Sequence, residues 1–411
     1  STLDRSSAAS DVYKRQQITN IRKHNMERQL LHTPDGVRDI YNGECEERLI
    51  LRDKIHRVFK LYGYSDIQTP YFEFFDVYNR ERGSVSSKNM YKFFDRDNNT
   101  IVLRPDMTPS IARCAAKYFE SEQNPVRLCY IGNNFINNSS YQGRLMETTQ
   151  AGCELIGDSS SAADAEMIAA LIESILSTGL TEFQVEVGHV GFFSGITTEA
   201  GLTGDSIAEL KEIIRNKNLF SIEALLTREN IDEKYNDIFY RLPQMFGDVN
   251  ILSQAASMTK NETALSAISH LEEVYDILKD YGYEKYVSFD LGVLSELDYY
   301  TGVIFKAYTF DVGEPIANGG RYDNLIGQFG KDKASIGFCI TIDLLHLAII
   351  RQKIVVVKPT KNRLIVYDES NLKEAVRLAG KLRKEGINTV LSGTCDDESK
   401  YSEVIVMKDM V

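Results

Sequence analysis

Hydrophobic periodicity predicts a helix followed by a strand at the start of the patterned part of the chain. In "CEERLILRDKIHRVFKLYG" the apolar side chains recur on one helical face, and Gly63 suits the end of that helix. The next stretch, "YSDIQTPYFEF", is typical of a strand and contains Pro70. Because proline lacks a backbone N–H, we expect this strand at a sheet edge or an interface.

The pattern continues as alternating strands and helices. "NTIVLRPDMTPSIARCAAKY" predicts a strand, a turn at Pro105 and a helix. "VRLCYIGNNF" and "METTQAGCELIG" are two strand-like runs about a loop, which indicates a hairpin. "ADAEMIAALIESILSTG" predicts a helix with Met167, Ile168, Leu171 and Ile172 facing inward, and "FQVEVGHV" alternates as a half-buried antiparallel strand does.

Residues 192–285 are predominantly helical in pattern and predict an insertion within a sheet domain. The strand pattern resumes at "YVSFDLGVL" and "TGVIFKAYTF", a Gly-rich turn is predicted at "NGGRYDNLIGQFG", and "ASIGFCITIDLLHLAII" predicts a strand and a helix. Residues 359–411 show a short βαβ pattern and one more strand, which predicts a small parallel sheet. We therefore expect an α+β protein with a main domain over 26–350, preceded by a non-native or disordered extension over 1–25.

Composition narrows the class of protein. The 411 residues are 43% hydrophobic, with no apolar run of about 18 residues that would span a bilayer. The formal net charge of -12 disfavours a protein that mainly grips nucleic acid. The six cysteines are scattered, which favours buried reduced thiols in a cytoplasmic protein over disulfides or zinc ligands. The six histidines form no ligand cluster in the sequence, so we predict no structural metal and no cofactor.

Several polar side chains suit a pocket for a small amino acid. Asp106 and Thr108, in the turn "RPDMT", have the chemistry to hold an ammonium group. Gln150 and Glu154 are four residues apart on one predicted strand and therefore point to the same face. Such groups on a rigid sheet are what recognition of an amino acid requires.

Three tyrosines complete this candidate pocket. Tyr299 and Tyr300 are adjacent in "ELDYYTG", so we expect one of them to face the site. Tyr322 follows two glycines, which allow the backbone to approach a ligand closely. The alternative for each residue alone is a buried tyrosine or a hydrogen-bonded carboxylate of the sheet core.

These motifs resemble those of a known enzyme family. "VFKLYGYSDIQTPYFE" resembles the first signature of class II aminoacyl-tRNA synthetases, with Pro70 in the position of its dimer-interface proline. "LRPDMT", "QGRLMETTQAGCELIG", "ELDYYTG" and "NGGRYDNL" resemble histidyl-tRNA synthetase over residues 30–350. The resemblance implies a mixed, mainly antiparallel sheet flanked by helices. It also implies a histidine site: Asp106, Thr108 and Gln150 near the ammonium, Glu154 and Tyr300 near the imidazole, and Tyr322 in the pocket lining.

The chain departs from the synthetase pattern where the nucleotide binds. Ile136 stands where the synthetases carry a phosphate-binding arginine, and Asn138 and Ser139 stand where the loop carries a glutamate and an arginine for ATP. Ser295-Glu296 stands where the synthetases carry an Arg-Gly pair whose arginine acts in activation. Asp343-Leu344 stands where they carry a final Glu-Arg pair whose arginine stacks on adenine. Arg144 alone remains of the phosphate-facing set. We expect it to take part in histidine binding, because Ser295 leaves the ligand carboxylate without its usual arginine.

Adenylation is catalysed mainly by preorganised charge, and loss of one donor in comparable sites costs about 3 kcal/mol. We therefore predict that the chain has lost aminoacylation activity. A synthetase-like chain with a histidine pocket and no ATP site resembles the regulatory subunit of ATP phosphoribosyltransferase. This family implies a short catalytic subunit as partner, feedback inhibition by L-histidine in histidine biosynthesis, and a homodimer within a hetero-oligomer, without tRNA.

Two alternatives remain open from the sequence. The first is an active but divergent histidyl-tRNA synthetase, against which Ile136, Ser295 and Leu344 argue. The second is a histidine-sensing synthetase paralogue that acts on another partner.

Overall fold

A computed structural model describes residues 31–78, 85–138, 144–216, 218–292, 299–358 and 361–407. The chain forms two compact units, of which one ends at Val355 and the other begins at Val356. The predicted extension over residues 1–25 lies outside the described ranges. Within these ranges no helix combines the length and the apolar character needed to cross a membrane.

The first half of the larger unit follows the predicted order of elements. The helices are α1 (Asn42–Leu61), α2 (Thr108–Tyr118) and α3 (Ser161–Ser177), and the strands are β1 (Ser65–Asp66), β2 (Phe72–Phe74), β3 (Lys92–Phe94), β4 (Thr100–Leu103), β5 (Val126–Phe135), β6 (Glu147–Ile156) and β7 (Phe183–His189). The predicted hairpin is the β5–β6 pair, and Gly63 adopts φ 79° just beyond α1, as a helix-ending glycine does.

A set of short helices then precedes the remaining strands. They are α4 (Val190–Glu199), α5 (Gly204–Arg215), α6 (Leu219–Arg228), α7 (Asn236–Arg241), α8 (Asn250–Ser257) and α9 (Glu262–Asp280), and the two-residue strand β8 (Phe246–Gly247) lies between α7 and α8. The sheet resumes with β9 (Val287–Asp290), β10 (Val303–Thr309), β11 (Ala317–Arg321) and β12 (Ser335–Thr341), followed by α10 (Ile342–Arg351).

Among the described residues, nine strands form one sheet in the order β1-β5-β6-β12-β11-β10-β7-β9-β8. The β1–β5 and β7–β9 pairs are parallel, and the other pairs are antiparallel. Helices α1, α3 and α9 pack against this sheet. The inward residues predicted for α3, including Met167 and Leu171, are fully buried. The predicted α+β class with a mixed, mainly antiparallel sheet is confirmed.

Two local predictions were wrong. The stretch predicted as one strand through Pro70 is divided into β1 and β2, and Pro70 lies between them, because the chain leaves the large sheet there to pair with β4. The Gly-rich turn predicted near 318–322 is instead strand β11, in which Gly319 and Gly320 allow close packing against aromatic rings. Glycines that permit close approach and glycines that permit a turn have the same sequence signature.

The second unit contains the predicted small parallel sheet. Strands β13 (Arg363–Val366), β14 (Thr389–Ser392) and β15 (Glu403–Val406) form a sheet in the order β14-β13-β15, and both pairs are parallel. Helix α11 (Leu372–Lys384) connects β13 to β14 and packs on this sheet through Ala375 and Ala379.

Candidate functional site

A cavity of about 970 Å³ lies against the large sheet. Strands β5, β6, β10, β11 and β12, the turn before α2 and the start of α10 contribute its walls. The sequence-predicted residues Asp106, Thr108, Arg144, Gln150, Tyr300 and Tyr322 all line it. The fold therefore brings together side chains that are up to about two hundred residues apart in the sequence. Glu154 lies behind this wall and is hydrogen-bonded to Thr108 and Tyr322.

Glu154 is the buried acid of the site, with 1% of its surface exposed. The Thr108 hydroxyl donates to Glu154 Oε1 at 2.9 Å, and the Tyr322 hydroxyl donates a short hydrogen bond to Oε2. Burial raises the pKa of Glu154 to about 8, although both hydrogen bonds act in the opposite direction. At neutral pH the empty pocket therefore holds Glu154 mainly in its protonated form.

Two glycines leave room for these side chains. Gly337 on β12 is the cross-strand neighbour of Glu154, and a Cβ at this position would overlap the Glu154 carboxylate. At Gly320 on β11 a Cβ would lie 2.7 Å from the Tyr300 ring. Gly337 and Gly320 therefore allow Glu154 and Tyr300 to pack directly against the backbone of β12 and β11.

The turn between β4 and α2 presents Asp106 to the cavity. The Asp106 carboxylate accepts hydrogen bonds from the Tyr299 hydroxyl at 3.3 Å and from the Thr108 backbone N–H at 3.3 Å. The Tyr78 hydroxyl donates to the Asp106 carbonyl at 3.0 Å. These contacts hold the half-buried Asp106 carboxylate in a position where it could stabilise the ammonium group of a ligand.

Arg104 supports this turn without lining the cavity, and it was not identified from the sequence. It is 3% exposed, and its guanidinium donates to the carbonyls of Asn133 at 2.9 Å and Thr69 at 2.8 Å, and to that of Pro70 at 3.3 Å. Gly132 leaves the space that the guanidinium occupies. Arg104 therefore links the Pro70 segment to the turn that carries Asp106.

Gln150 reaches the cavity from the same strand as Glu154, as predicted from their spacing. The Asn134 side-chain amide on β5 donates to Gln150 Oε1 at 2.5 Å. Asn134 is 2% exposed, and its Oδ1 accepts no hydrogen bond from the described residues. In the strand register Asn134 is paired with Thr148, two residues from Gln150 on β6, and no motif in the sequence pointed to it.

The tyrosines form one aromatic wall. Tyr299 and Tyr300 contact each other edge to face at 5.0 Å, and Tyr299 contacts Tyr322 at 6.0 Å. Both Tyr299 and Tyr300 line the cavity, so the expectation that only one would face it was wrong. Strand alternation does not apply because these residues precede β10. Tyr130 is a further lining residue that the sequence did not indicate.

Residues at the positions where the sequence departs from the synthetase pattern also line the cavity. Ile136, Leu344 and Asn138 all line it, and the Asn138 amide donates to the Leu145 carbonyl at 3.1 Å. Asp343 accepts from Arg48 at 2.6 Å and from the Thr149 backbone N–H at 2.8 Å. Ser139 and the Ser295-Glu296 pair lie outside the described residues.

Two arginines that line the cavity are paired with carboxylates. Arg144 Nε lies 3.2 Å from Glu314 Oε1, and Arg38 Nη1 lies 2.9 Å from Glu44 Oε2. Each of these arginines would therefore have to exchange its carboxylate partner to bind a triphosphate.

Comparison with known proteins shows the family of this chain. Residues 36–345 match the sequence model of the histidyl-tRNA synthetase family. The chain is 39% identical to the ATP phosphoribosyltransferase regulatory subunit of Acetivibrio thermocellus, over 87% of this chain and 85% of that protein. The chain belongs to the family of ATP phosphoribosyltransferase regulatory subunits. The regulatory subunit of Ruminiclostridium cellulolyticum is 40% identical, over 92% of this chain and 91% of that protein.

Solved structures place the regulatory-subunit family within the synthetase fold. A crystal structure from Bacillus halodurans, described as an ATP phosphoribosyltransferase regulatory subunit/histidyl-tRNA synthetase, has a TM-score of 0.82 and 30% identity, covering 91% of this chain and 97% of that one. Histidyl-tRNA synthetase from Nostoc sp. PCC 7120 has a TM-score of 0.75 at 21% identity, covering 90% and 87%, and shows the shared fold.

Proposed function

We propose that this chain is a non-catalytic subunit that activates the short catalytic subunit of ATP phosphoribosyltransferase and transmits feedback inhibition by L-histidine. The observation that carries the proposal is the contrast between the two ends of the cavity. The polar set around Glu154 and Asp106 is complete and internally hydrogen-bonded, whereas Ile136 and Leu344 occupy the end that would bind a nucleotide.

L-histidine fits the chemistry of the polar end. Asp106 provides a carboxylate for the ligand ammonium, with Thr108 and Gln150 beside it. Glu154, protonated in the empty pocket, has both a donor and an acceptor oxygen for an imidazole, and Tyr322 fixes its orientation. A ligand of the same size without a polar ring would leave Glu154 buried and unmatched, which disfavours it.

We propose that the chain no longer activates an amino acid with ATP. Stabilising the adenylation transition state needs preorganised positive charge at the phosphates. Ile136 places an aliphatic side chain there, Leu344 replaces the adenine-stacking arginine, and Arg144 is paired with Glu314. A pyrophosphate-exchange assay with histidine and ATP is expected to show no exchange above background, whereas a divergent synthetase would show it.

We propose that the chain forms a homodimer through the region of Pro70. Beside Pro70, Phe72, Phe74 and Phe93 form an aromatic patch: Phe72 and Phe74 are more than half exposed, and the Phe72 and Phe93 rings are 6.1 Å apart. Glu73 between them is buried and pairs with Arg113 at 2.6 Å, so the strand alternates its faces. An exposed aromatic patch of this kind favours an interface. Arg104 would then connect this interface to the Asp106 turn.

Feedback requires that histidine bind the active and the inhibited assemblies with different affinities. We propose two candidate elements for transmitting the histidine signal, the loop 137–142 and the segment 318–322. Residues 317–321 form a central strand of the sheet, which disfavours the segment 318–322 as an element that moves. In the described part of that loop, the Asn137 backbone N–H donates to the Asn89 carbonyl at 2.9 Å. We propose that this contact changes when histidine is released.

Calorimetry on the purified chain, with and without the catalytic subunit, tests histidine binding. Glu154→Gln is expected to weaken histidine binding by about 5- to 150-fold, because the carboxamide NH2 cannot accept the hydrogen bond that Thr108 or Tyr322 donates, and an unsatisfied buried donor costs about 1–3 kcal/mol. Glu147→Gln is the matched control, because Glu147 lies on the same strand and is hydrogen-bonded to Asn133 rather than to the histidine-site residues. Absence of histidine binding in both preparations would refute the ligand assignment.

A further inference from the structure

A second cluster of polar side chains lies on the large sheet at its β1 edge. His56 Nε2 lies 2.5 Å from Asp66 Oδ1, and Cys129 Sγ lies 3.5 Å from the same oxygen. One ligand atom from each of these three residues falls within 4.8 Å of the other two. An imidazole nitrogen, a carboxylate oxygen and a thiol sulfur thus converge on one point, and no role in histidine binding or subunit activation uses them.

The fold itself brings these three atoms together. Asp66 on β1 and Cys129 on β5 are direct neighbours in the parallel register. His56 lies on α1, whose last turn is followed by Gly63 at φ 79°, and this glycine turns the chain back into β1. The three positions come from a helix and two strands, so their spacing in the sequence resembles no metal-binding motif.

We propose that His56, Asp66 and Cys129 form a binding site for a divalent cation of the zinc type. These are the ligand classes that Zn²⁺ prefers, at about 2.0 Å for nitrogen and oxygen and about 2.3 Å for sulfur. Around a tetrahedral ion those bond lengths separate sulfur from oxygen by about 3.5 Å, which matches the 3.5 Å between Cys129 Sγ and Asp66 Oδ1. The His56–Asp66 contact, now a hydrogen bond, would open to about 3.3 Å.

The second carboxylate oxygen already has an outer partner. Lys60 Nζ donates to Asp66 Oδ2 at 3.1 Å, one helical turn beyond His56, so that Oδ1 is the oxygen directed at the other two ligands. Metal-bound carboxylates are commonly held in this way by a neighbouring donor. Binding would release the Cys129 thiol proton to solvent, and the thiolate and Asp66 carboxylate would together neutralise the 2+ charge of the ion.

The competing interpretation is a surface ion pair in which His56 and Lys60 share Asp66. The two interpretations differ at Cys129, whose buried thiol only donates a weak hydrogen bond to Asp66 in the ion pair but is a ligand in the metal site. Three protein ligands leave the fourth position of a tetrahedral ion for water or an added ligand. The site would link α1, β1 and β5, so metal binding is also expected to raise the unfolding temperature of the full chain.

Cobalt(II) provides a spectroscopic probe for the full-length chain after treatment with chelator and reductant. We expect one equivalent of Co²⁺ to produce a thiolate charge-transfer band and the visible bands of a four-coordinate ion, both removed by one equivalent of Zn²⁺. Cys129→Ser should abolish the charge-transfer band. The His56 side chain is 37% exposed, so His56→Ala should fold normally. This variant should bind the metal at least about 10-fold more weakly, since loss of even an outer-shell partner costs that much.

Cys153→Ser is the matched control, because Cys153 is equally buried and faces Cys129 across the β5–β6 pair but is not one of the three ligands. It should keep both sets of bands. Absence of a charge-transfer band in the unaltered chain, or its persistence in Cys129→Ser, would overturn the metal site and leave the ion pair as the explanation of the cluster.

Discussion

Replacement of Glu154 by glutamine tests whether the buried acid of the pocket is protonated near neutral pH. In the folded protein burial raises the pKa of Glu154 from its ordinary value of 4.5 to about 8. The folded chain therefore binds one more proton than the unfolded chain between these two pH values. Stability contributed by the protonated form is fully present below pH 4.5 and is lost as the pH rises towards 8.

The magnitude follows from this one proton. A single extra proton in the folded state lowers the free energy of unfolding by about 1.4 kcal/mol per pH unit across the window. Summed from pH 4.5 to 8, the loss is on the order of 4 kcal/mol. Glu154→Gln keeps the neutral shape and removes the titration, so its stability relative to the unaltered chain should rise steadily with pH.

Urea unfolding followed by far-ultraviolet circular dichroism measures this difference, since the chain has no tryptophan for fluorescence. Measurements at three pH values between 5.5 and 8.5, without histidine, are sufficient. Gln150→Ala, a substitution between neutral side chains on the same strand, is the control whose difference from the unaltered chain should not change with pH. A constant difference for Glu154→Gln would refute the raised pKa and the protonated pocket.

Three further results are expected. Gly337→Ala should reduce stability by about 1–3 kcal/mol in urea unfolding and impair histidine binding in calorimetry, because the new methyl group overlaps Glu154. Asp164→Asn should cost about 3–5 kcal/mol in the same unfolding assay, since it removes the fully buried carboxylate of the Arg321 guanidinium and leaves only the partly exposed Asp323; an effect below 1 kcal/mol would contradict this. Phe72→Ser should shift sedimentation from a dimer towards the 46.5 kDa monomer, and an unchanged dimer would exclude the aromatic patch as the interface.

The sequence predicted the elements whose periodicity is unambiguous. Helix α3 is apolar on its buried side, the β5–β6 hairpin pairs ten residues of each strand, and the C-terminal βαβ unit follows its pattern closely. Errors occurred where one residue type serves two purposes. Gly319 and Gly320 suggested a turn, but they permit close packing within β11, and Pro70 stands between two strands rather than within one.

The site was predictable to the extent that its residues occur in motifs. Asp106, Thr108, Gln150, Glu154 and Tyr322 were identified in advance, and the cavity brings them together. Residues that support the site without lining the cavity had no such signal in the sequence. Arg104 is recognised only from its contacts to Thr69 and Asn133, and the pairing of Arg48 with Asp343 joins positions 295 residues apart.

The most direct test of the central claim is the phosphoribosyltransferase activity of the short catalytic subunit in the presence of this chain. We expect activity to increase on addition of the chain and to fall again with L-histidine. With Glu154→Gln the activation should remain, and the histidine concentration for half-inhibition should rise by about 5-fold or more. No activation, or an unchanged half-inhibition concentration in an intact Glu154→Gln complex, would contradict a regulatory role exerted through this pocket.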